Sequence, residues 1–259
     1  MGFLDGARAS AYGSKAYKLH AAANKLSDEG KPEEAKQKYQ VALQMYNEAD
    51  KLGLNRTNLI QAYEVLLLRE GEFEKARELM LRQEKRKDLT KEDWFNLRLH
   101  FAIYQWRTGQ LDKAIETMER AGHEKQNGAY YSTQGMFLVD KARATGDARE
   151  ALEFNLKALD YDDEDASTLD NMGQLYDIMS RTEPEQREEY HQKAIDFFKK
   201  AHVQKPRQIT TIYYLAKLRH EDGDDERARK LLAKTDTLYF SKLCPVTPEM
   251  MAALKKEVG

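Results

Sequence analysis

The chain has 259 residues, enough for one large domain or two small ones; 33% of them are charged and 41% hydrophobic, yet the net charge is only -2. That balance excludes a disordered chain of high net charge and gives no overall basic signal for nucleic acid. The longest apolar run, around Val65 in "VLLL", is far too short to span a membrane, and one cysteine, Cys244, excludes an intrachain disulfide.

Taken in chain order, residues 1–15 ("MGFLDGARASAYGSK") are rich in Gly and Ala and read as a tail or a short helix. The opening carries no basic-then-apolar leader, so a cytoplasmic protein is expected. Gly6 stands where a myristoylation signal wants Ser or Thr, so that reading carries little weight.

From residue 16 the chain repeats itself. "GKPEEAKQKY" begins at Gly30, "GEFEKARELM" at Gly71, "GQLDKAIETM" at Gly109, "GDAREALEFN" at Gly146 and "GDDERARKLL" at Gly223. Each Gly follows an apolar helical stretch and suits the left-handed conformation that ends a helix. Acidic residues such as Asp147, Asp224 and Glu226 then suit the positive start of a new helix. Five residues after each Gly stands an Ala (35, 76, 114, 151, 228), small enough to let the new helix approach the old one. Ala194 completes the series without its Gly. The six anchors lie 34 to 43 residues apart, which predicts an array of helical hairpins near 16–56, 57–94, 95–131, 132–165, 166–208 and 209–240.

Within that array several local expectations arise. The second helix of the first hairpin runs on past "MYNEADKLG", because insertions of three, four or seven residues keep an apolar face in phase. The run "RQEKRKD" from Arg82 reads as the solvated basic end of a lengthened helix. In the third hairpin Phe101 and Ala102 fit one register, Leu97 and Tyr104 another. In the fourth, Phe154 rather than Asn155 is expected in the core. "DYDDED" (160–165) lacks the Gly of a calcium loop and reads as an acidic turn before a helix. The insertion from Ser180 is expected to start a helix early, with Thr182 as its cap and Pro184 in its first turn. The segment 241–259 offers Thr247, Pro248 and late lysines as a C-terminal capping helix.

No Gly-rich phosphate loop, metal-spaced His or Cys cluster or paired catalytic constellation is present, so neither an enzyme nor a cofactor or metal protein is expected.

The array resembles the tetratricopeptide repeat family. The best match runs from Leu169 to Pro206: Leu169, Met172, Gly173 and Tyr176 occupy the W-x2-L-G-x2-Y positions, followed by Ala194, Phe198, Ala201 and Pro206. The resemblance covers roughly residues 16–240, with Glu64 and Val139 standing where the family prefers small residues, so those hairpins are expected to open slightly. It implies an all-α, right-handed α/α superhelix, a solenoid of about six hairpins with a C-terminal capping helix. It further implies that the first helix of each hairpin lines a concave groove holding a peptide or a partner's helix.

The groove positions are then Tyr17, His20 and Asn24; Asn58 and Gln61; Asn96, His100 and Trp106; Met136, Phe137 and Asp140; Asp170, Asn171, Gln174 and Asp177; Tyr213, Tyr214 and Lys217. The chaperone-binding members grip a C-terminal carboxylate at such positions, but of Ala62, Asn96 and His100 here only the Asn matches, so that clamp is not expected. Trp106, Phe137 and Tyr214 read equally well as packing residues. Asp170, Asn171 and Gln174 are expected to stay accessible and touch the ligand. The leading reading is a protein-interaction scaffold without catalysis. Self-assembly through the ends or the convex face is the alternative, and RNA binding is disfavoured by the lack of a repeated basic position.

Overall fold

The computed structural model describes residues 3–259. Met1 and Gly2, part of the 1–15 segment and of the acylation reading, lie outside the described residues. Among the described residues there are helices and no strands: α1 (Phe3–Asp28), α2 (Pro32–Lys51), α3 (Thr57–Glu70), α4 (Phe73–Glu84), α5 (Lys91–Arg107), α6 (Leu111–Glu124), α7 (Gly128–Thr145), α8 (Arg149–Tyr161), α9 (Ala166–Thr182), α10 (Arg187–Gln204), α11 (Ile209–Glu221), α12 (Asp225–Ala233) and α13 (Pro248–Val258). None of these helices is long and apolar enough to cross a membrane.

The repeated Gly and Ala behave as the sequence predicts. Gly30, Gly71, Gly109, Gly146 and Gly223 all have φ between +77° and +84°. Ala35, Ala76, Ala114, Ala151, Ala194 and Ala228 are at most 1% exposed. A left-handed residue turns the chain back within a few residues, and the methyl group one turn later lets the helices close on each other.

The chain divides into two compact units, one of residues 1–109 with Thr237–Leu243, the other Gln110–Asp236 with Cys244–Gly259. The division falls inside the third expected hairpin, so α5 belongs to unit one and α6 to unit two.

In unit one α1 packs along α2, and α3 packs on α1, α2, α4 and α5. Residues 3–15 continue α1 without a break. The core is rich in tyrosine: Tyr39, Tyr46 and Tyr63 are buried, and the rings of Tyr46 and Tyr63 stack 5.1 Å apart. A buried hydroxyl usually finds a partner: Tyr39 donates to Asn24 Oδ1 at 2.7 Å and Tyr63 to Asn47 Oδ1, while the Tyr46 hydroxyl has none. Thr237–Leu243 lies on this unit: the Lys242 backbone N–H donates to the Arg69 carbonyl at 2.8 Å, and the Tyr239 hydroxyl donates to Glu70 at 2.5 Å. Tyr239 also packs on Tyr39, with ring centroids 5.1 Å apart.

In unit two α7 packs on α6, α8 and α9, α9 on α10 and α11, and α13 on α11 and α12. Phe198 fills the space that a side chain on Gly173 would take, since a Cβ there would lie 2.7 Å from its ring. Thr247 accepts the Met250 N–H and Pro248 opens α13, as expected of the capping helix. Asp165 caps α9 by accepting the Thr168 N–H at 2.8 Å, which gives the acidic turn its local role.

Four local expectations are corrected. The basic run from Arg82 does not lengthen the helix: α4 ends at Glu84, and Arg86 beyond it folds back on Asp88. The helix after the Ser180 insertion does start early, α10 beginning at Arg187 well ahead of Ala194 whereas α2 begins at Pro32 just before Ala35, but Thr182 does not cap it: Thr182 ends α9, its hydroxyl donating to the Ile178 carbonyl, and Pro184 opens a separate 3-10 turn. Asn155, not Phe154, is the buried residue of α8. Its amide donates to the carbonyls of Ala151 at 2.9 Å and Gly135 at 3.4 Å, and the missing Cβ of Gly135 makes the room. In α5 the two registers merge: Leu97, Ala102 and Tyr104 are all buried, and Phe101 is half-buried.

Candidate partner-binding site

In unit two, side chains of the first helices of the hairpins line a common cavity. Helical spacing puts Thr133, Met136 and Asp140 on one face of α7, and Asp170, Asn171 and Gln174 on one face of α9. Together with Ser132, Ser167, Gln208, Thr210 and Pro245 they line a cavity of about 170 Å³.

Its floor is a web of hydrogen bonds. Asp170 is 3% exposed. It accepts from the Thr211 hydroxyl at 2.6 Å and from the Gln174 amide at 2.7 Å. Burial pushes its carboxyl above the usual range, and the bonds from Thr211 and Gln174 act against that push. Arg143 links the web to the rim, donating to Gln174 Oε1 and to Asp140, while its guanidinium lies 5.7 Å from the Tyr214 ring centre. Asn171 donates to the Ser132 carbonyl at 3.1 Å. Gln208 contributes a buried amide oxygen with no hydrogen-bond partner.

Asp170, Asn171 and Gln174, expected to be accessible, are therefore buried, at 3%, 3% and 6% exposure. Their partners come from helices that the repeat pattern does not position to the ångström: Thr211 is 41 residues from Asp170. Asp140 sits half-buried at the rim. Asp177 is buried beside Arg181, which reaches it at 2.8 Å and also holds Glu221 at 3.0 Å. Tyr213 packs on Tyr214, and Lys217 is half-buried on α11. Phe137 is wholly buried and Tyr214 stacks on Phe198, so both pack between helices.

In unit one the expected positions have different surroundings. Tyr17 and Asn58 are exposed. His20 is buried in the core, edge-on to Tyr39 and Tyr46, and burial followed by the charge of Arg69 lowers its pKa to about 4. It is a neutral packing residue at pH 7, not a cation for a carboxylate. Asn24 accepts from Tyr39 and from Arg69 at 3.1 Å. Gln61 and Asn96 bond each other at 3.3 Å, and Gln61 also donates to Asp93.

Reasoning from repeat positions missed Thr133, which shares the α7 face of Met136 and Asp140, and also Ser132, Ser167, Gln208, Thr210 and Pro245, which belong to helix starts and a connection rather than to the repeated face. Gln208, immediately before α11, was the only one with a local signal, a polar residue preceding an apolar helix. No group of His, Cys, Asp or Glu among the described residues could hold a metal ion.

No protein-family model matches the chain, and no curated protein matches it. Among solved structures it is similar to a thermophilic tetratricopeptide repeat protein of Thermus thermophilus, with a TM-score of 0.53 and 18% identity over 64% of this chain and 83% of that one. It is also similar to a tetratricopeptide repeat protein of Parabacteroides merdae, with a TM-score of 0.54 and 14% identity over 94% and 86%. The chain has the tetratricopeptide repeat fold: all-α, built of antiparallel helical hairpins.

Proposed function

We propose that the chain is a non-catalytic protein-interaction module and that the α7–α9–α11 face of unit two receives a peptide segment or the edge of a partner's helix. The observation that carries this reading is the cavity between Thr133, Met136, Asp140 and the buried α9 web. Hydrogen bonds among Asp170, Thr211, Gln174 and Arg143 hold its floor rigid before any ligand arrives, and preorganisation lowers the entropic cost of binding. Half-buried Thr133 and Met136 supply accessible contact area at the rim. A reducing, cytoplasmic setting suits the single thiol.

Because Asp170, Asn171 and Gln174 hold the fold, a change there would test stability rather than contact. The test uses the rim: partners captured from native lysate by the wild type are compared, by mass spectrometry, with those captured by Thr133→Arg/Met136→Arg. A variant on the solvent side of α8, Lys157→Glu, serves as control. Partners should be lost with the rim variant and kept with the control; identical partners for all three would remove the cavity from consideration.

A further inference from the structure

Unit two also carries a concentrated positive patch that the reading above does not use. Lys199 of α10, Arg219 of α11, Arg227 and Lys230 of α12, and Lys234 line a second cavity of about 510 Å³, and no acidic side chain lines it. In a chain of net charge -2 this is a large local excess. The acids that pair with these cations stand outside the cavity: Asp196 for Lys199 at 3.1 Å, Asp224 for Arg227 at 2.9 Å, Glu226 for Lys230 at 2.6 Å. Pairs exposed in this way hold weakly and give way to a better-placed anion. The half-buried Arg219 has only a long contact of 3.6 Å to Asp222, which His191 also engages at 2.7 Å. His202, at the cavity wall, receives the Lys234 ammonium on Nε2 at 3.1 Å, and burial together with that charge lowers its pKa. Leu215 and Leu231 lie among the cations. A single small anion would leave those two side chains uncovered. The cavity calls for several carboxylates around an apolar anchor.

The same unit presents a segment of that description. In 160–165, the end of α8 and the turn that follows it, five of six residues are acidic and none is basic. Asp160, Asp162, Asp163 and Glu164 are exposed, and Tyr161 is 52% exposed with one side of its ring against Tyr131, the centroids 4.8 Å apart. The turn is held rigid, since Asp162 accepts the Glu164 N–H at 3.1 Å and Asp165 caps α9. Other acid-rich stretches, such as 183–189, are interrupted by Arg187. None of the turn's residues lines the cavity of its own chain.

We propose that the Lys199–Arg219–Arg227–Lys230–Lys234 cavity takes the Asp160–Asp165 turn of a second copy of this chain, with carboxylates against the cations and Tyr161 against Leu215 and Leu231. Socket and turn are different surfaces, so the contact is head-to-tail: each joined pair still has one free socket and one free turn for further neighbours, and assembly runs on until it closes into a ring or extends as a filament. The attraction is between exposed charges, so salt weakens it.

Light scattering of the full chain tests this over a concentration series. At about 0.05 M salt the apparent mass should rise with concentration, and the midpoint should move at least about tenfold upward at about 0.5 M salt. Arg227→Gln/Lys230→Gln and Asp162→Lys/Asp163→Lys should each remain monomeric, with far-UV circular dichroism matching the wild type. Mixed one to one, they should form a dimer and stop there, because the only intact socket and the only intact turn then meet once. As a measurement that needs no substitution, a synthetic peptide of residues 158–167 should break up the wild-type assemblies. A wild type that stays monomeric throughout, or either variant assembling as the wild type does, overturns the proposal. A peptide that binds while the intact chain stays monomeric overturns it as well, by assigning the socket to some other acidic segment. None of these substitutions touches the α7–α9 cavity, so capture of partners there succeeds or fails separately.

Discussion

Glu64 of α3 and His100 of α5 meet inside unit one, with His100 Nδ1 2.7 Å from Glu64 Oε2 and the carboxylate wholly removed from solvent. The other oxygen, Glu64 Oε1, has no hydrogen-bond partner. The position was expected to hold a small residue; it holds instead a polar group whose burial rests on one bond. His100→Ala should lower the unfolding free energy by about 3 kcal/mol, since it strands the acid in the core. Replacing both by Leu should cost less than His100→Ala alone, because the desolvated groups are then gone together. Urea denaturation of His100→Ala and of Glu64→Leu/His100→Leu tests this; a double variant that loses as much as His100→Ala or more would refute the coupling.

His20 gives unit one a definite acid response. Its folded pKa of about 4 lies below the ordinary value of 6.5, because burial opposes the charged ring. Between those values the unfolded chain binds a proton that the folded chain refuses. The stabilisation is therefore complete above about pH 6.5 and declines as the pH falls towards 4, by on the order of 2 kcal/mol. The Asp170 carboxyl, raised by burial, slopes the other way. The measurable quantity is thus the difference between wild type and His20→Phe in urea melts at about pH 7 and about pH 4.5. The variant should lose less on acidification, and equal losses would count against a neutral, buried imidazole.

Gly135→Ala should destabilise unit two by about 2 kcal/mol. A Cβ there would run into Asn155 Oδ1 and lie 2.9 Å from Asn171 Nδ2, both fixed by packing. The double change Gly135→Ala/Asn155→Ala should be less harmful than Gly135→Ala, as the first obstacle is removed. Thermal melts of the three chains decide it; a double variant worse than the single would show that the obstacle lies elsewhere.

Gly223→Ala isolates the backbone from the packing. Nothing lies within 4 Å of the new methyl, so only the φ of +77° opposes it. The expected cost is about 1 kcal/mol, and Gly223→Asn should cost less, since Asn tolerates this conformation best among the larger residues. Denaturant midpoints of the two variants provide the comparison, and equal losses would argue against a conformational origin.

The hairpins were legible because their requirements are local. A residue with positive φ must be Gly at little cost, and a close helix approach must be met by Ala; both leave a mark at a fixed spacing, from Gly30 and Ala35 to Gly223 and Ala228. The α13 cap at Thr247 is local in the same sense. What was not legible depends on partners distant in sequence. Asn155 outcompetes Phe154 for the core only because Gly135 lies opposite. Asp170, Asn171 and Gln174 are drawn inside by Thr211, Ser132 and Arg143. A polar residue on a predicted groove face looks the same in sequence whether it awaits a ligand or already serves a neighbouring helix.

The membership of Thr237–Leu243 in unit one bears on the order in which the chain acquires its structure. Synthesis runs from the N-terminus, so the residues up to Gly109 leave the ribosome long before Tyr239 exists. Until then the ring of Tyr39, the Arg69 carbonyl and the Glu70 carboxylate lack the neighbours they have in the finished protein. Unit one is thus completed only after the helices α6 to α12 of unit two have been made, and a gene fragment ending at Gly109 would encode it without Thr237–Leu243.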